Sequence, residues 1–254
     1  MARGSAGESV LDRAVRILAC FGPQASTLTV AEIARAADLP IATAHRLVNE
    51  LEEHGLLERG ENRRVRIGVR LWELATRSSP TRTLREAAMP VMEDLHAVVG
   101  HHAQLGVRQD HEVLFVERLS ARKAVINVAQ IAGRLPLHVS SAGQVLLAHA
   151  PVEVQDAVLA GSLPAFSDAT ITDARRLRRV LAEVRKQGFA YCPGHIRPEA
   201  TGVAVPVRSA DGAVVAALSV VVPNDDAARS VVPLLLASGR TVSRALAPPL
   251  HSAE

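Results

Sequence analysis

Three short apolar stripes at helical spacing follow one another near the start of this chain, and a proline stands between the last two. Leu11, Ala14, Val15 and Leu18 recur at i, i+3, i+4 and i+7, which predicts a helix with one buried face that closes near Phe21 and Gly22. After a loop, Thr29 and Glu32 form a capping-box pattern, and Val30, Ile33, Ala34 and Ala37 supply a second stripe. Pro40 disfavours helical dihedrals at Leu39 and so ends that helix. It also suits the first turn of a third helix, with the stripe Ala44, Leu47, Val48 and Leu51 and an end marked by Gly55. Helices this short must bury their stripes against one another, and a tight turn between the last two makes a helix-turn-helix.

The segments Leu56-Leu57-Glu58-Arg59 and Val65-Arg66-Ile67-Gly68 flank a polar turn at Gly60 to Asn62 and read as a two-stranded wing. The net charge of +3 is modest, but Arg59, Arg63, Arg64, Arg66 and Arg70 stand against Glu61 alone in this stretch. Such a cluster attracts phosphate, with a solvated basic turn as the lesser alternative from charge alone. With its stripe turned inward, the third helix leaves Thr43, His45, Arg46, Asn49 and Glu50 outside. Arg, Asn and Thr at those positions suit the major groove of double-stranded DNA, and Arg63, Arg64 and Arg66 suit phosphate or the minor groove. The alternative is a helix-turn-helix used only for protein contacts. Aromatic residues make up only 2% of the chain, too few for a platform that stacks single-stranded bases.

At 254 residues and 48% hydrophobic content, two domains are expected. Leu71, Leu74 and Ala75 begin another helix, broken at Ser78-Ser79-Pro80, and Leu84, Ala87, Ala88, Val91, Met92 and Leu95 keep helical spacing across Pro90. This predicts a DNA-binding domain over 1–70, a linker helix over 71–95, kinked at Pro90 or formed of two abutting helices, and a second domain over 96–254. Strands are expected at 102–107, 112–119, 124–130, 202–208 and 213–222, the last two joined at Asp211-Gly212. Helices are expected at 142–149, 152–159, 173–187 and 227–246, the third capped by Thr172 and stopped by Gly188. The second domain is therefore α+β. No stretch approaches the roughly 20 apolar residues that cross a bilayer. The start MARGSAGES lacks the apolar core of a secretory signal, so a cytoplasmic protein is expected, with Cys20 and Cys192 as free thiols and no membrane partner.

SVLDRAVRILACF, LTVAEIARAADLPIATAHRLVNELEEHGLLER and RRVRIGVRLWELA resemble the start, helix-turn-helix and wing of the IclR family of bacterial transcriptional regulators. The resemblance continues in GRLPLHVSSAGQVLLAHAP, TITDARRLRRVLAEVRKQGFAY and AVPVRSADGAVVAALSVVVP. It implies a GAF-like effector domain, a homodimer or homotetramer on a near-palindromic operator, and repression or activation governed by a small molecule. The matching effector pocket would include Asn127, Leu135, Ser141, Ala142, Gly143, Gly202 and Ser219, with Cys192, His195 and Arg197 in a variable loop. Amides of Ser141, Ala142 and Gly143 at a helix N-terminus favour a carboxylate, with His195 and Arg197 as candidate counter-charges. Cys192 or Pro193 stands where relatives that bind small keto acids carry an acid, and Val221 stands where they carry a second serine. A larger, partly apolar or aromatic acid is therefore expected.

Other chemistries leave fainter traces. Ser140, Ser141 and His138 invite a nucleophile and base, but no G-x-S-x-G elbow is present. Cys192 and His195 could join a zinc site or sense thiol oxidation, yet no second paired spacing completes four ligands. Neither a catalytic residue, a metal nor a cofactor is assigned.

Overall fold

The computed structural model describes residues 8–22, 25–77, 81–122, 124–125 and 131–247. The chain divides into two compact units, Met1–Ser79 and Pro80–Glu254.

In the first unit, helix α1 (Val10–Ala19) starts at Ser9, whose hydroxyl accepts from the Asp12 amide while the Asp12 carboxylate accepts from the Ser9 amide. Helix α2 (Val30–Ala36) begins with the expected reciprocal box of Thr29 and Glu32. Asp38 takes a left-handed turn at φ 50°, and helix α3 (Ile41–Glu53) follows with Pro40 as its N-cap, one residue earlier than the first turn expected for it. Ile17, Ile33, Leu47, Val48, Leu57 and Val65 close one core. Strands β1 (Leu57–Arg59) and β2 (Val65–Ile67) pair antiparallel to form the wing, and its tip, Glu61–Arg63, turns through left-handed Asn62 and Arg63. The backbone of Leu28 exchanges two hydrogen bonds with Val65, at 2.9 and 2.7 Å, so the loop before α2 acts as a third strand for the wing. Helix α4 (Val69–Arg77) completes the unit.

The second unit opens with helix α5 (Arg82–Val99), which runs straight through Pro90 in sequence. The stretch 71–95 thus holds parts of two helices, α4 ending at Arg77 and α5 beginning at Arg82, and Pro90 lies within α5. Pro90 is exposed while Ala88 and Met92 are buried, so water can satisfy the carbonyl that the proline leaves without an N–H, and the buried stripe keeps the helix intact. The Ser78-Ser79-Pro80 boundary itself lies outside the described residues.

Next come β3 (His102–Gln109), β4 (Glu112–Ser120), β5 (Arg134–Pro136), α6 (Ser141–Ala148), α7 (Val152–Ala160) and α8 (Ala174–Gln187). The chain then forms β6 (Ala190–Pro193), β7 (Ala200–Arg208), β8 (Val214–Pro223), a 3-10 turn (Asp226–Val231) and α9 (Val232–Leu246). Among the described residues the strands make one antiparallel sheet in the order β5-β4-β3-β8-β7-β6. Helices α5 and α9 cover one face through Met92, Leu95, Leu235 and Val242, against Leu105 and Leu218. Helices α6 and α8 cover the other through Val145, Leu147, Leu177 and Leu181, against Phe115 and Ala217. This is the expected α+β, GAF-like arrangement.

Some local expectations change. Residues 124–125 are not in a strand, and the rest of the strand expected over 124–130 lies outside the described residues. Two strands were not foreseen, β5 and β6, because each is three or four residues long and carries a proline, which fits only a sheet edge. The N-cap of α8 is Asp173, not Thr172, since the Asp173 carboxylate accepts from the Arg176 amide at 2.7 Å. Gly188 does end that helix, at φ 79°.

The seat of α6 is set by Gly143. A methyl group there would collide with the Leu137 carbonyl oxygen and stand 2.8 Å from the Leu137 Cα. Both are backbone atoms, so no side-chain rotation relieves the clash. Gly143→Ala is expected to cost the second unit about 1–3 kcal/mol of stability, read by chemical denaturation. Undiminished stability would mean that α6 does not rest on the Leu137 backbone.

Candidate functional site

Two surfaces carry chemistry, one in each unit. On α3, His45, Arg46 and Asn49 are exposed and Thr43 is half-buried, so the outer face is where the stripe predicted it. Arg46 pairs with Glu50 one turn on, at 2.6 Å. Both are open to solvent, and such a pair is worth little and exchanges partners easily. Asn49 differs from expectation. Its Oδ1 accepts from Arg59 Nη2 at 3.2 Å, and Arg59 is fixed in turn by Glu52 at 2.7 Å. Adenine pairing needs both the oxygen and the NH2 of an Asn, and here only the NH2 is uncommitted.

The wing arginines also separate. Arg64 donates to the Thr27 hydroxyl at 3.0 Å and to the Thr27 carbonyl at 2.7 Å, and it lies 3.4 Å from Glu32. It braces the wing against the loop before α2. Arg66 faces its cross-strand neighbour Glu58 at 3.1 Å. Arg63 stands at the tip and forms no ion pair among the described residues.

In the second unit a cavity lies between the first turn of α6 and the sheet. Leu135, Ser141, Ala142, Cys192, His195, Arg197, Gly202 and Ser219 all line it, as the sequence suggested. Gly143 does not. Its amide donates to the Ser140 hydroxyl at 3.0 Å, a cap that removes it from any anion. The N–H groups of Ser141 and Ala142 have no carbonyl to meet within the helix and carry the positive end of its dipole. Asn127 lies outside the described residues. Sequence reasoning missed Gln104, Phe115, Val139, Ser140, Ile196 and Ala200, which also line the cavity. The one local signal was Gln104, a polar residue between the apolar Ala103 and Leu105.

Charge at the cavity rests on Arg197, which is exposed at its edge. His195 is buried and cannot share that role. Its Nδ1 lies 3.4 Å from the Gln144 amide nitrogen, which also donates to the His138 carbonyl, and the ring hydrogen-bonds the Val139 backbone. Burial, followed by the nearby Arg176 and His138, holds its pKa below the usual value, so the ring is neutral and the expected counter-charge is corrected. Burial likewise pushes the Cys192 thiol far up, so it offers no thiolate for redox sensing. Among the described residues no group of three His, Cys, Asp or Glu is placed to hold a metal. Nor is any helix there long and apolar enough to cross a membrane.

A winged helix-turn-helix joined to a domain with an enclosed, largely apolar cavity at a helix N-terminus defines a transcriptional regulator that answers to a small molecule. The chain belongs to the IclR family: the IclR helix-turn-helix domain matches residues 10–61, and the bacterial transcriptional regulator IclR C-terminal domain matches residues 78–246. An IclR homolog from Microbacterium hydrocarbonoxydans, solved in complex with 4-hydroxybenzoate, is 46% identical with a TM-score of 0.91, covering 94% of this chain and 99% of that one. The HTH-type transcriptional regulator XynR of Escherichia coli strain K12 is 30% identical over 82% of this chain and 84% of its own. The transcriptional repressor IclR of the same strain is 26% identical over 71% and 68%.

Burial is the leading cause that lowers the pKa of His102, His138, His149 and His195 below the ordinary 6.5. Below pH 6.5 the unfolded chain therefore binds more protons than the folded one, and stability present above that pH is lost as pH falls toward the folded values. The melting midpoint of the second unit should drop between pH 7.5 and pH 5.5, and less steeply in His195→Gln. An unchanged midpoint would show that these rings titrate freely.

Proposed function

We propose that this chain is a cytoplasmic repressor whose hold on its operator is set by an aromatic carboxylic acid bound in the α6 cavity. The observation that carries the reading is the cavity's division of labour. Phe115, Leu135, Val139, Ile196 and Val221 give it apolar walls, while Arg197 and the Ser141 and Ala142 amides favour an anion. Cys192 and Val221 make the lining less polar than a two- or three-carbon keto acid needs. The complex of the Microbacterium relative with an aromatic acid supports the same class, and the likeness to the transcriptional repressor IclR of Escherichia coli supports repression. Ser140 and His138 are read as structural, the first as the cap of α6 and the second through its Nε2 contact with the Pro164 carbonyl at 3.0 Å. On this reading the protein is not an enzyme.

Titration calorimetry with benzoate, 4-hydroxybenzoate, pyruvate and glyoxylate tests the effector. The aromatic acids should bind, and Arg197→Ala should weaken them about tenfold, the cost of one charge-assisted contact. Binding of the keto acids alone would overturn the reading.

For DNA, Thr43, His45 and Arg46 are assigned to base edges, with the Asn49 NH2 beside them, and Arg63 to phosphate. Arg66 can leave Glu58 for the backbone, whereas Arg64 holds the wing in shape. The protein is proposed to act as a homodimer or homotetramer on a near-palindrome. The exposed Leu11 and Val15 on α1 and Trp72 on α4 support a second copy covering them. Arg46→Ala should lower affinity for the operator about ten- to a hundredfold. Arg63→Ala should weaken every sequence alike and reduce the slope of log affinity against log salt by about one. If both variants bind the operator as the parent does, the reading face has been misplaced.

A further inference from the structure

Gln104 and Ser219 sit side by side at the floor of the effector cavity, paired across β3 and β8, with 2% and 1% exposure. Gln104 Nε2 and Ser219 Oγ are both buried, and neither has a hydrogen-bond partner among the described residues. Native proteins seldom leave such groups unmet, because each loses its water without a replacement. Two orphans on adjacent strands, both lining one cavity, point to a ligand group that meets both.

The chemistry of the pair selects that group. An amide NH2 only donates, whereas a serine hydroxyl both donates and accepts. A ligand hydroxyl satisfies both at once: its oxygen accepts from Gln104 Nε2, and its hydrogen is donated to Ser219 Oγ. A carboxylate fits less well, since the pair itself offers it only two neutral donors. The charged end has its own place at the α6 amides and Arg197. We infer that Gln104 and Ser219 form a hydroxyl-reading pair that selects hydroxylated aromatic acids over plain ones. This rests on the proposed effector reading and narrows its ligand class.

Benzoate, 3-hydroxybenzoate and 4-hydroxybenzoate are titrated into the parent protein, Gln104→Met and Ser219→Ala, with melting midpoints recorded so that an unfolded variant is recognised. The parent should bind at least one hydroxybenzoate about tenfold more tightly than benzoate. Each variant should lose that preference, binding the hydroxybenzoates no more tightly than benzoate. Ser219→Ala removes a single oxygen and carries the comparison if Gln104→Met does not fold. Equal weakening of all three ligands would place the carboxylate on the pair and overturn the inference. So would a parent without preference, or variants that keep it. If the parent binds none of the three acids, the effector reading falls and this one with it, whereas binding without preference removes only the hydroxyl assignment.

Discussion

The second unit depends on how closely one helix end approaches one strand-flanking loop. Because Gly143 has no side chain, the first turn of α6 lies directly on the Leu137 backbone, and the Ser140 hydroxyl closes that turn through the Gly143 amide. The arrangement fixes the Ser141 and Ala142 amides above the sheet and leaves a gap beneath them. Gly202 keeps that gap open on the β7 side, since a methyl group there would stand 2.8 Å from Ser141 Oγ. The cavity is thus a by-product of backbone packing, and the residues that choose a ligand are those that fall along its edge.

A comparable economy operates in the wing. Leu28 and Val65 join backbone to backbone, and Arg64 adds two hydrogen bonds to Thr27. A three-residue hairpin would hold its shape poorly alone. Once Arg64, Arg59 and Arg66 are engaged with Thr27, Glu52 and Glu58, the basic cluster seen in the sequence presents fewer open charges than its composition suggests. Arg63 at the left-handed tip keeps its guanidinium outside those pairings, and the same pairing logic withdraws the Asn49 oxygen from the reading face.

Helices with a single apolar stripe and a recognisable cap were legible from the sequence: α1, α2, α3 and α8 lie within about three residues of their predicted limits. So was the Asp211-Gly212 hairpin between β7 and β8. The two short edge strands were not, because three residues carry too little alternation to stand out. In the site, Ser141 and Ala142 could be read from a helix start, whereas Cys192, Gly202 and Ser219 came through the family resemblance. Phe115 and Gln104 came from neither route.

The sequence alone determined what depends on near neighbours: the helix periods, the capping boxes, the helix-turn-helix and the family pattern. Each is set by residues three or four apart, so it survives without knowledge of the rest of the chain. Only the tertiary structure decided which polar groups meet. Gln104 lies beside Ser219 because β3 pairs with β8 across the sheet, and His195 is neutral because the fold buries it. Arg64 is a brace because Thr27 reaches it from before α2. Those contacts join distant parts of the chain, and their consequence, a charge kept or a donor left unmet, depends on burial that no local pattern records.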